Sequence, residues 1–171
     1  MQNSFELFDL PVVFEVDLNL LSARYLALQK ALHPDNFASK SEQEQRVALQ
    51  QSAQINDAYQ QLKDPILRAE AILAIGLGQE IDKENTTHDL DFLMEQMALR
   101  EQLEEIEQGH DEAALEQFQQ DLAEKNRLEL TALSAEIASQ NWSEVKLHID
   151  RLKFVRKLHI EVERIEERFW G

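Results

Sequence analysis

The sequence predicts an all-α protein, and three observations lead to this prediction. Only four glycines and three prolines interrupt 171 residues, so long helices are possible. Hydrophobic residues make up 43% of the chain, and they recur at intervals of three and four, the spacing of a helix with one buried face. A polar stretch without such periodicity, from Gln79 to His88, separates two groups of these segments. We therefore expect two helical domains.

The composition excludes several classes of function. The net charge of −16 argues against general nucleic-acid binding, because phosphate contacts need clustered cations. The absence of cysteine excludes disulfides and thiolate metal sites, and it fits a reducing compartment. The N-terminus has no basic and apolar leader pattern, and no apolar run approaches the roughly 18 residues of a membrane span. We expect a cytoplasmic protein without nucleic-acid or membrane partners.

The first quarter of the chain predicts two helices. A short helix from Asn3 to Leu10 ends at Pro11 and is anchored by two phenylalanines, Phe5 and Phe8. Asp17 is placed to cap a longer helix. Its inward stripe has regular spacings of three and four and consists of Leu18, Leu21, Tyr25, Leu28 and Leu32. We expect the opposite side of this helix to carry Arg24 and Lys30, and no acidic residue follows Asp17 within it.

The tripeptide His33-Pro34-Asp35 interrupts this helical pattern. A proline pushes the preceding residue out of the α region, so the helix must end near His33. Ser39 or Ser41 can cap the next helix, which reaches about Lys63 and forms an antiparallel hairpin with the first. The tripeptide then lies on a short connection at the exposed end of that hairpin. Another helix starts at Pro65 and ends in Gly76-Leu77-Gly78.

The second half predicts an antiparallel three-helix bundle. Its helices span about 89–108, 111–139 and 142–169, and they are joined by short links. Asn141 can cap the last helix, with Glu144 as the partner in a capping box. The last helix is basic between Lys146 and Lys157, whereas the first is acidic. We expect these two helices to lie side by side with complementary charge.

The helix over residues 89–108 has two apolar faces. One narrow stripe consists of Phe92, Leu99, Leu103 and Ile106, and it fits the core of the bundle. The opposite side carries Leu90, Met94 and Met97, with Leu93 on its flank and Glu101, Glu104 and Glu105 close by. Methionines suit an adaptable protein-binding surface, and an acidic rim attracts a basic partner. Packing of this second stripe elsewhere within the chain is an alternative of about equal weight.

Enzymatic roles for the tripeptide lack the residues they need. The remaining histidines, including His148 and His159, show no ligand-type spacing with His33, so a metal site is not expected. No serine lies in a strand–turn–helix elbow, and no glycine-rich loop could hold a phosphate. Without further context, His33-Pro34-Asp35 would indicate only a turn that ends a helix.

The context of the tripeptide resembles a J domain over residues 1–75. A helix rich in Tyr and Leu precedes it, and the helix after it contains Ile55-Asn56-Asp57-Ala58-Tyr59 and ends at Leu62-Lys63-Asp64-Pro65. In the second half, Phe92-Leu93-Met94-Glu95-Gln96-Met97 followed by Leu99-Arg100-Glu101 resembles the client-binding helix of the HscB family. These proteins are J-domain co-chaperones of iron–sulfur cluster assembly. The resemblance covers nearly the whole chain.

The resemblance implies a division of labour. A J domain over 1–75 stimulates ATP hydrolysis by the DnaK-type chaperone HscA; a linker over 76–88 follows; a three-helix domain over 89–171 holds the scaffold protein IscU. It also implies an L-shaped two-domain arrangement, no cofactor and no enzymatic activity of the chain itself. The chaperone-binding residues carried over are His33, Pro34, Asp35, Arg24 and Lys30. The scaffold-binding residues carried over are Leu93, Met94, Met97, Glu101, Glu105 and Phe154.

Two positions depart from the family pattern. Asn36 follows the tripeptide where a lysine is common, which weakens the expected basic contact. Ala98 stands where relatives often have glutamate, so it receives no polar role. Two alternatives stay open at this point: a J protein that serves a different client, and a helical adaptor that stimulates no ATPase.

Overall fold

The computed structural model describes residues 2–78 and 89–171, and every regular element in these two ranges is helical, which confirms the all-α prediction. The chain divides into two compact units, Met1–Gln79 and Glu80–Gly171. Seven α-helices in the described ranges are numbered in chain order: α1 Ser4–Leu7, α2 Leu18–Ala31, α3 Glu42–Lys63, α4 Pro65–Leu77, α5 Leu90–Gly109, α6 Glu112–Ala138 and α7 Trp142–Trp170. None of them is long and apolar enough to cross a membrane.

In the N-terminal unit, α2 and α3 form the predicted hairpin. Leu21 and Leu62 are fully buried, whereas Leu18, in the first turn of α2, is exposed and does not extend the inward stripe as predicted. Tyr25 and Tyr59 stack between the two helices with their ring centroids 3.9 Å apart, and the Tyr25 hydroxyl donates a hydrogen bond to Asn56. These contacts hold the two helices together at mid-length.

The short helix α1 ends earlier than predicted. It spans only Ser4–Leu7, because Asp9 adopts a left-handed φ of 52° and turns the chain before Pro11 is reached. Phe5 and Phe8 are nonetheless buried as predicted.

The ends of α3 and α4 follow from their capping residues. Ser41 is the N-cap of α3, and its hydroxyl accepts a hydrogen bond from the amide of Glu44. Asp64 caps α4 ahead of Pro65. Helix α4 ends at Leu77 with Gly78 as its C-cap, within the Gly76-Leu77-Gly78 segment where its end was predicted. The rest of the predicted linker, 79–88, lies outside the described residues.

The C-terminal unit is the predicted bundle of α5, α6 and α7. Its core includes Phe92, Leu103, Phe118, Phe154 and Leu158, all almost fully buried. The predicted capping box at the start of α7 does not form. Asn141 occupies the N-cap position, but its side chain accepts a hydrogen bond from the Ser143 hydroxyl and none from the helix backbone.

The predicted charge complementarity between α5 and α7 is seen where Arg151, in the basic stretch of α7, lies 3.4 Å from Glu95. Further ion pairs, beyond the predicted stretch, form near the end of α5. Arg164 donates to Glu107 with Nη1 3.1 Å from Oε2, and Arg168 forms an ion pair with the same carboxylate. The hydrogen bond from Arg164 is the largest of the causes that lower the pKa of Glu107, and the charges of both arginines add to it. This carboxylate is therefore ionised when the two helices are paired.

Candidate partner-binding surfaces

The tripeptide lies on the predicted short connection between α2 and α3, which forms a 3-10 turn over Pro34–Phe37. Proline has the fixed φ of a first helical position, and it holds His33 in an extended conformation with ψ of 138°. From that position the His33 ring caps the turn, because Nδ1 accepts a hydrogen bond of 3.2 Å from the amide of Asp35.

This hydrogen bond determines which nitrogen of the His33 ring is available to a partner. Nδ1 also lies 3.5 Å from a carboxylate oxygen of Asp35, but a nitrogen that accepts from an amide carries no proton. The ring proton of the neutral side chain is then on Nε2, at the opposite edge. The side chains of His33 and Asp35 are 59% and 91% exposed, so the turn presents a donor and a carboxylate next to each other.

Asn36, which we had described only as a weakened basic contact, ties the turn to α2. Its side-chain amide donates to the backbone carbonyls of Lys30 at 2.8 Å and of Ala31 at 3.2 Å. Carbonyls in the last turn of a helix have no intrahelical partner, so an amide can satisfy both. On the other side of the turn, Gln45 of α3 donates to the carbonyls of Phe37 and Lys40. The turn is thus fixed to both helices of the hairpin.

Replacing Asn36 by aspartate tests this tie. The variant loses both donors and places a negative charge beside the carbonyl end of α2, so we expect a loss of about 1–2 kcal/mol of unfolding free energy. Urea denaturation followed by circular dichroism measures it. The same change at Asn19, in the first turn of α2, is the control, because a carboxylate at a helix N-terminus is neutral or stabilising. Equal stability of Asn36→Asp and the parent chain would contradict the tie.

The two predicted cations of α2 differ in their environment. Lys30 is exposed. Arg24 is partly buried, and its Nη1 donates to the carbonyls of Phe8 at 2.7 Å and Asp9 at 2.6 Å. Arg24 therefore fastens the end of α1 to α2, and its predicted role as a contact for a partner stays a prediction. The sequence could not reveal these two hydrogen bonds, because Arg24 is 16 residues from Phe8 and 15 residues from Asp9.

The second apolar stripe of α5 is open to solvent. The exposed fractions are 68% for Leu90, 44% for Leu93, 61% for Met94 and 71% for Met97. Within the C-terminal unit, α6 and α7 leave this stripe uncovered. Glu101 and Glu105, one and two turns further along α5, are exposed as well. The stripe and its acidic end form one continuous surface, which we call the α5 patch.

Phe154 is the exception among the residues predicted to bind the scaffold. It is only 5% exposed, and its ring packs edge-on against Phe92 with the centroids 6.0 Å apart. The guanidinium of Arg100 lies 5.3 Å above the same ring and helps to cover it. Phe154 therefore packs in the core beneath α5, and its predicted contact with the scaffold stays a prediction.

A group of ion pairs lies behind the α5 patch, and one of them is of the predicted kind between α5 and the basic stretch of α7. Glu95, next to Met94 in the chain, forms an ion pair with Lys125 of α6 and lies 3.4 Å from Arg151 of α7. Arg151 also lies over the Phe92 ring at 5.4 Å. His148, for which no metal-ligand role was expected, is largely buried and lies 2.6 Å from Glu129. These contacts connect α5 to both other helices of the bundle.

The described residues contain no group of three or more His, Asp or Glu side chains placed to hold a metal ion. The two candidate surfaces are a fixed turn with a donor and a carboxylate, and an apolar patch with an acidic end.

Comparison with known proteins identifies the family. A co-chaperone protein HscB homolog from Mannheimia succiniciproducens is 52% identical over 169 residues, which are 98% of this chain and 98% of that protein. The chain belongs to the HscB family of co-chaperones. A homolog of the same name from Haemophilus influenzae is 50% identical over 171 residues, covering 99% of this chain and 98% of that one.

Solved structures of the HscB family share the fold. Chaperone HscB from Vibrio cholerae matches with a TM-score of 0.86 at 47% identity, covering 98% of this chain and 99% of that chain. Human co-chaperone protein HscB matches with a TM-score of 0.87 at 27% identity, covering 97% and 83% respectively. The family model of the HSCB C-terminal oligomerisation domain matches residues 88–163, which include the α5 patch.

Phe154→Leu in this HscB-family chain tests whether Phe154 supports α5 from the core or contacts the scaffold directly. We expect the smaller side chain to cost about 1–2 kcal/mol of unfolding free energy through the space it leaves against Phe92. Affinity for the scaffold should fall only through loosening of α5, and it should recover when the temperature is lowered well below the midpoint of unfolding. Thermal denaturation and calorimetric titration measure the two effects. Unchanged stability with a large loss of affinity would return Phe154 to the contact surface.

Proposed function

We propose that this HscB-family chain stimulates ATP hydrolysis by a DnaK-type chaperone of the HscA kind through the turn at His33-Pro34-Asp35. In the same proposal, the α5 patch binds the iron–sulfur scaffold protein IscU, so that the chain delivers the scaffold to the chaperone during cluster assembly. The observation that carries the proposal is the joint presence of a fixed tripeptide turn in one unit and an uncovered apolar patch in the other.

The turn is suited to recognition without catalysis. Asp35 presents a carboxylate that is 91% exposed and can pair with a cation of the chaperone, while Nε2 of His33 can donate beside it. Because the backbone is held from both sides by Asn36 and Gln45, little conformational freedom is lost when a partner binds. The chain would change the conformational preference of an ATPase that supplies all the chemistry.

The α5 patch is suited to a partner with an apolar surface and neighbouring cations. Leu90, Met94 and Met97 supply large flexible side chains, and Glu101 and Glu105 add negative charge at one end. A second copy of this chain is a poor occupant, because two acidic ends and two chains of net charge −16 would repel each other. A basic segment of the scaffold fits better.

Single-turnover ATP hydrolysis by an HscA-type chaperone tests the whole proposal. The rate is measured for the chaperone alone, with this protein, with the scaffold, and with both. We expect stimulation by this protein and a further, more than additive increase when the scaffold is present. Stimulation without any effect of the scaffold would indicate a J protein with a different client. The absence of stimulation in every mixture would indicate an adaptor and would refute the proposal.

A further inference from the structure

The outer face of α2 is apolar. At about 100° per residue, Ala23, Leu26, Ala27 and Lys30 lie within an arc of about 100°, and all four are exposed. Leu26 is 66% exposed at one edge of this arc; Ala23 precedes it by three residues and Ala27 follows it directly. The helix contains no acidic residue. Leu26 and Lys30 are the two long side chains among these four residues, and the two alanines leave the rest of the surface flat.

Positive charge is scarce on this face. Lys30 is its one cation, because Arg24 lies about 120° further around the helix and is bonded to the carbonyls of Phe8 and Asp9. The resemblance to J domains implied a basic helix that meets the chaperone. The structure of this chain instead offers one lysine at the edge of an apolar surface.

This face is continuous with the tripeptide turn. Asn36 donates to the carbonyls of Lys30 and Ala31, so the end of the face and the start of the turn are joined by hydrogen bonds. A partner that contacts Asp35 and His33 will therefore also lie near Lys30 and Leu26. We therefore assign one partner, the chaperone, to both this face and the tripeptide turn.

We propose that Leu26 is the specificity-determining anchor of the chaperone contact, and that it inserts into an apolar depression on the ATPase. Ala23 and Ala27 allow close approach, and Lys30 pairs with a carboxylate at the rim. This proposal rests on the proposed function, since it assigns chemistry to the chaperone that the turn contacts. Under this proposal, the affinity of α2 for the chaperone comes mainly from an apolar contact and depends little on salt, unlike that of a basic helix.

The direction in which Leu26→Lys changes docking distinguishes an apolar contact from an electrostatic one. Leu26→Lys would add a second cation one turn from Lys30, which strengthens docking if the partner surface is acidic and weakens it if the partner surface is apolar. Removal of most of the side chain in Leu26→Ala should weaken an apolar contact and leave an electrostatic one unchanged. Burial of a leucine contributes on the order of tenfold to affinity.

The experiment measures the concentration of this protein that gives half-maximal stimulation of single-turnover ATP hydrolysis, at low and at moderate potassium chloride. The variants are Leu26→Ala and Leu26→Lys. Ile160→Lys is the control, because Ile160 of α7 is 61% exposed, similar to Leu26, and lies in the other unit. Thermal unfolding confirms that the variants fold, as the exposed positions lead us to expect.

We expect Leu26→Ala to raise the half-maximal concentration about tenfold and Leu26→Lys to raise it by more, with maximal stimulation unchanged. The half-maximal concentration of the parent chain should change less than threefold with salt, and Ile160→Lys should behave as the parent. If Leu26→Lys reaches half-maximal stimulation at the same or a lower concentration than a stimulating parent chain, this proposal is overturned and the proposed function is not. A parent chain that stimulates at no concentration would overturn the proposed function, and this proposal with it.

Discussion

Substitution of His33 by glutamine is expected to reduce ATP hydrolysis by the chaperone to its unstimulated rate, even when the variant is in excess. The ring both caps the 3-10 turn through Nδ1 and presents Nε2 beside the Asp35 carboxylate. Glutamine is longer and more flexible, so it cannot hold a donor in that place without losing rotamer freedom. Single-turnover hydrolysis with radiolabelled ATP measures the effect.

His33→Asn separates the two roles of the ring. Asparagine is a favourable N-cap and can accept the Asp35 amide, but it has no group that reaches as far as Nε2. We expect this variant to keep the stability of the parent chain and to lose stimulation. Full activity of His33→Asn would show that only the cap matters, and full activity of His33→Gln would remove the turn from the ATPase contact altogether.

The double substitution Met94→Ala and Met97→Ala is expected to weaken binding of the scaffold by about 2–4 kcal/mol, roughly 30-fold to 1,000-fold in Kd. Both side chains are more than half exposed, at 61% and 71%, so their removal leaves no cavity in the bundle. The loss should therefore appear in isothermal titration calorimetry with no fall in thermal stability. Stimulation of the ATPase without scaffold should stay unchanged.

A matched control for the methionines is Leu128→Ala. Leu128 of α6 is 54% exposed and lies outside the α5 patch, so its removal tests whether any exposed apolar side chain matters. We expect it to have no effect on scaffold affinity. Equal affinities of the methionine double variant and the parent chain would show that the α5 patch does not bind the scaffold.

The helices could be predicted because their signals are local. Asp17, Ser41 and Asp64 cap the helices that follow them, and the spacing of apolar residues gave the bounds of α5, α6 and α7 to within about two residues. Errors arose where a local signal competed with another. Asn141 had the sequence of a capping box, yet its side-chain oxygen accepts from Ser143 instead.

The candidate surfaces were less predictable because long-range contacts decide which side chains are available. Arg24 has the periodicity of a surface residue, but a bond to the carbonyl of Phe8 holds it. Phe154 has a position that fits the α5 patch, but the ring is buried against Phe92. Neither contact can be predicted from helical spacing. The spacing indicates the face of the helix on which a residue lies, but it does not indicate how deeply the side chain is buried.

The ion pairs of Glu95 have a consequence for the thermodynamics of scaffold binding. They and the packing of Phe92 fix the backbone of α5 before any partner arrives. Ordering on binding is then confined to exposed side chains such as Met94 and Met97, at roughly 0.5–1.5 kcal/mol for each immobilised side chain. Complex formation should show the negative heat-capacity change of apolar burial without the large entropic penalty of coupled folding.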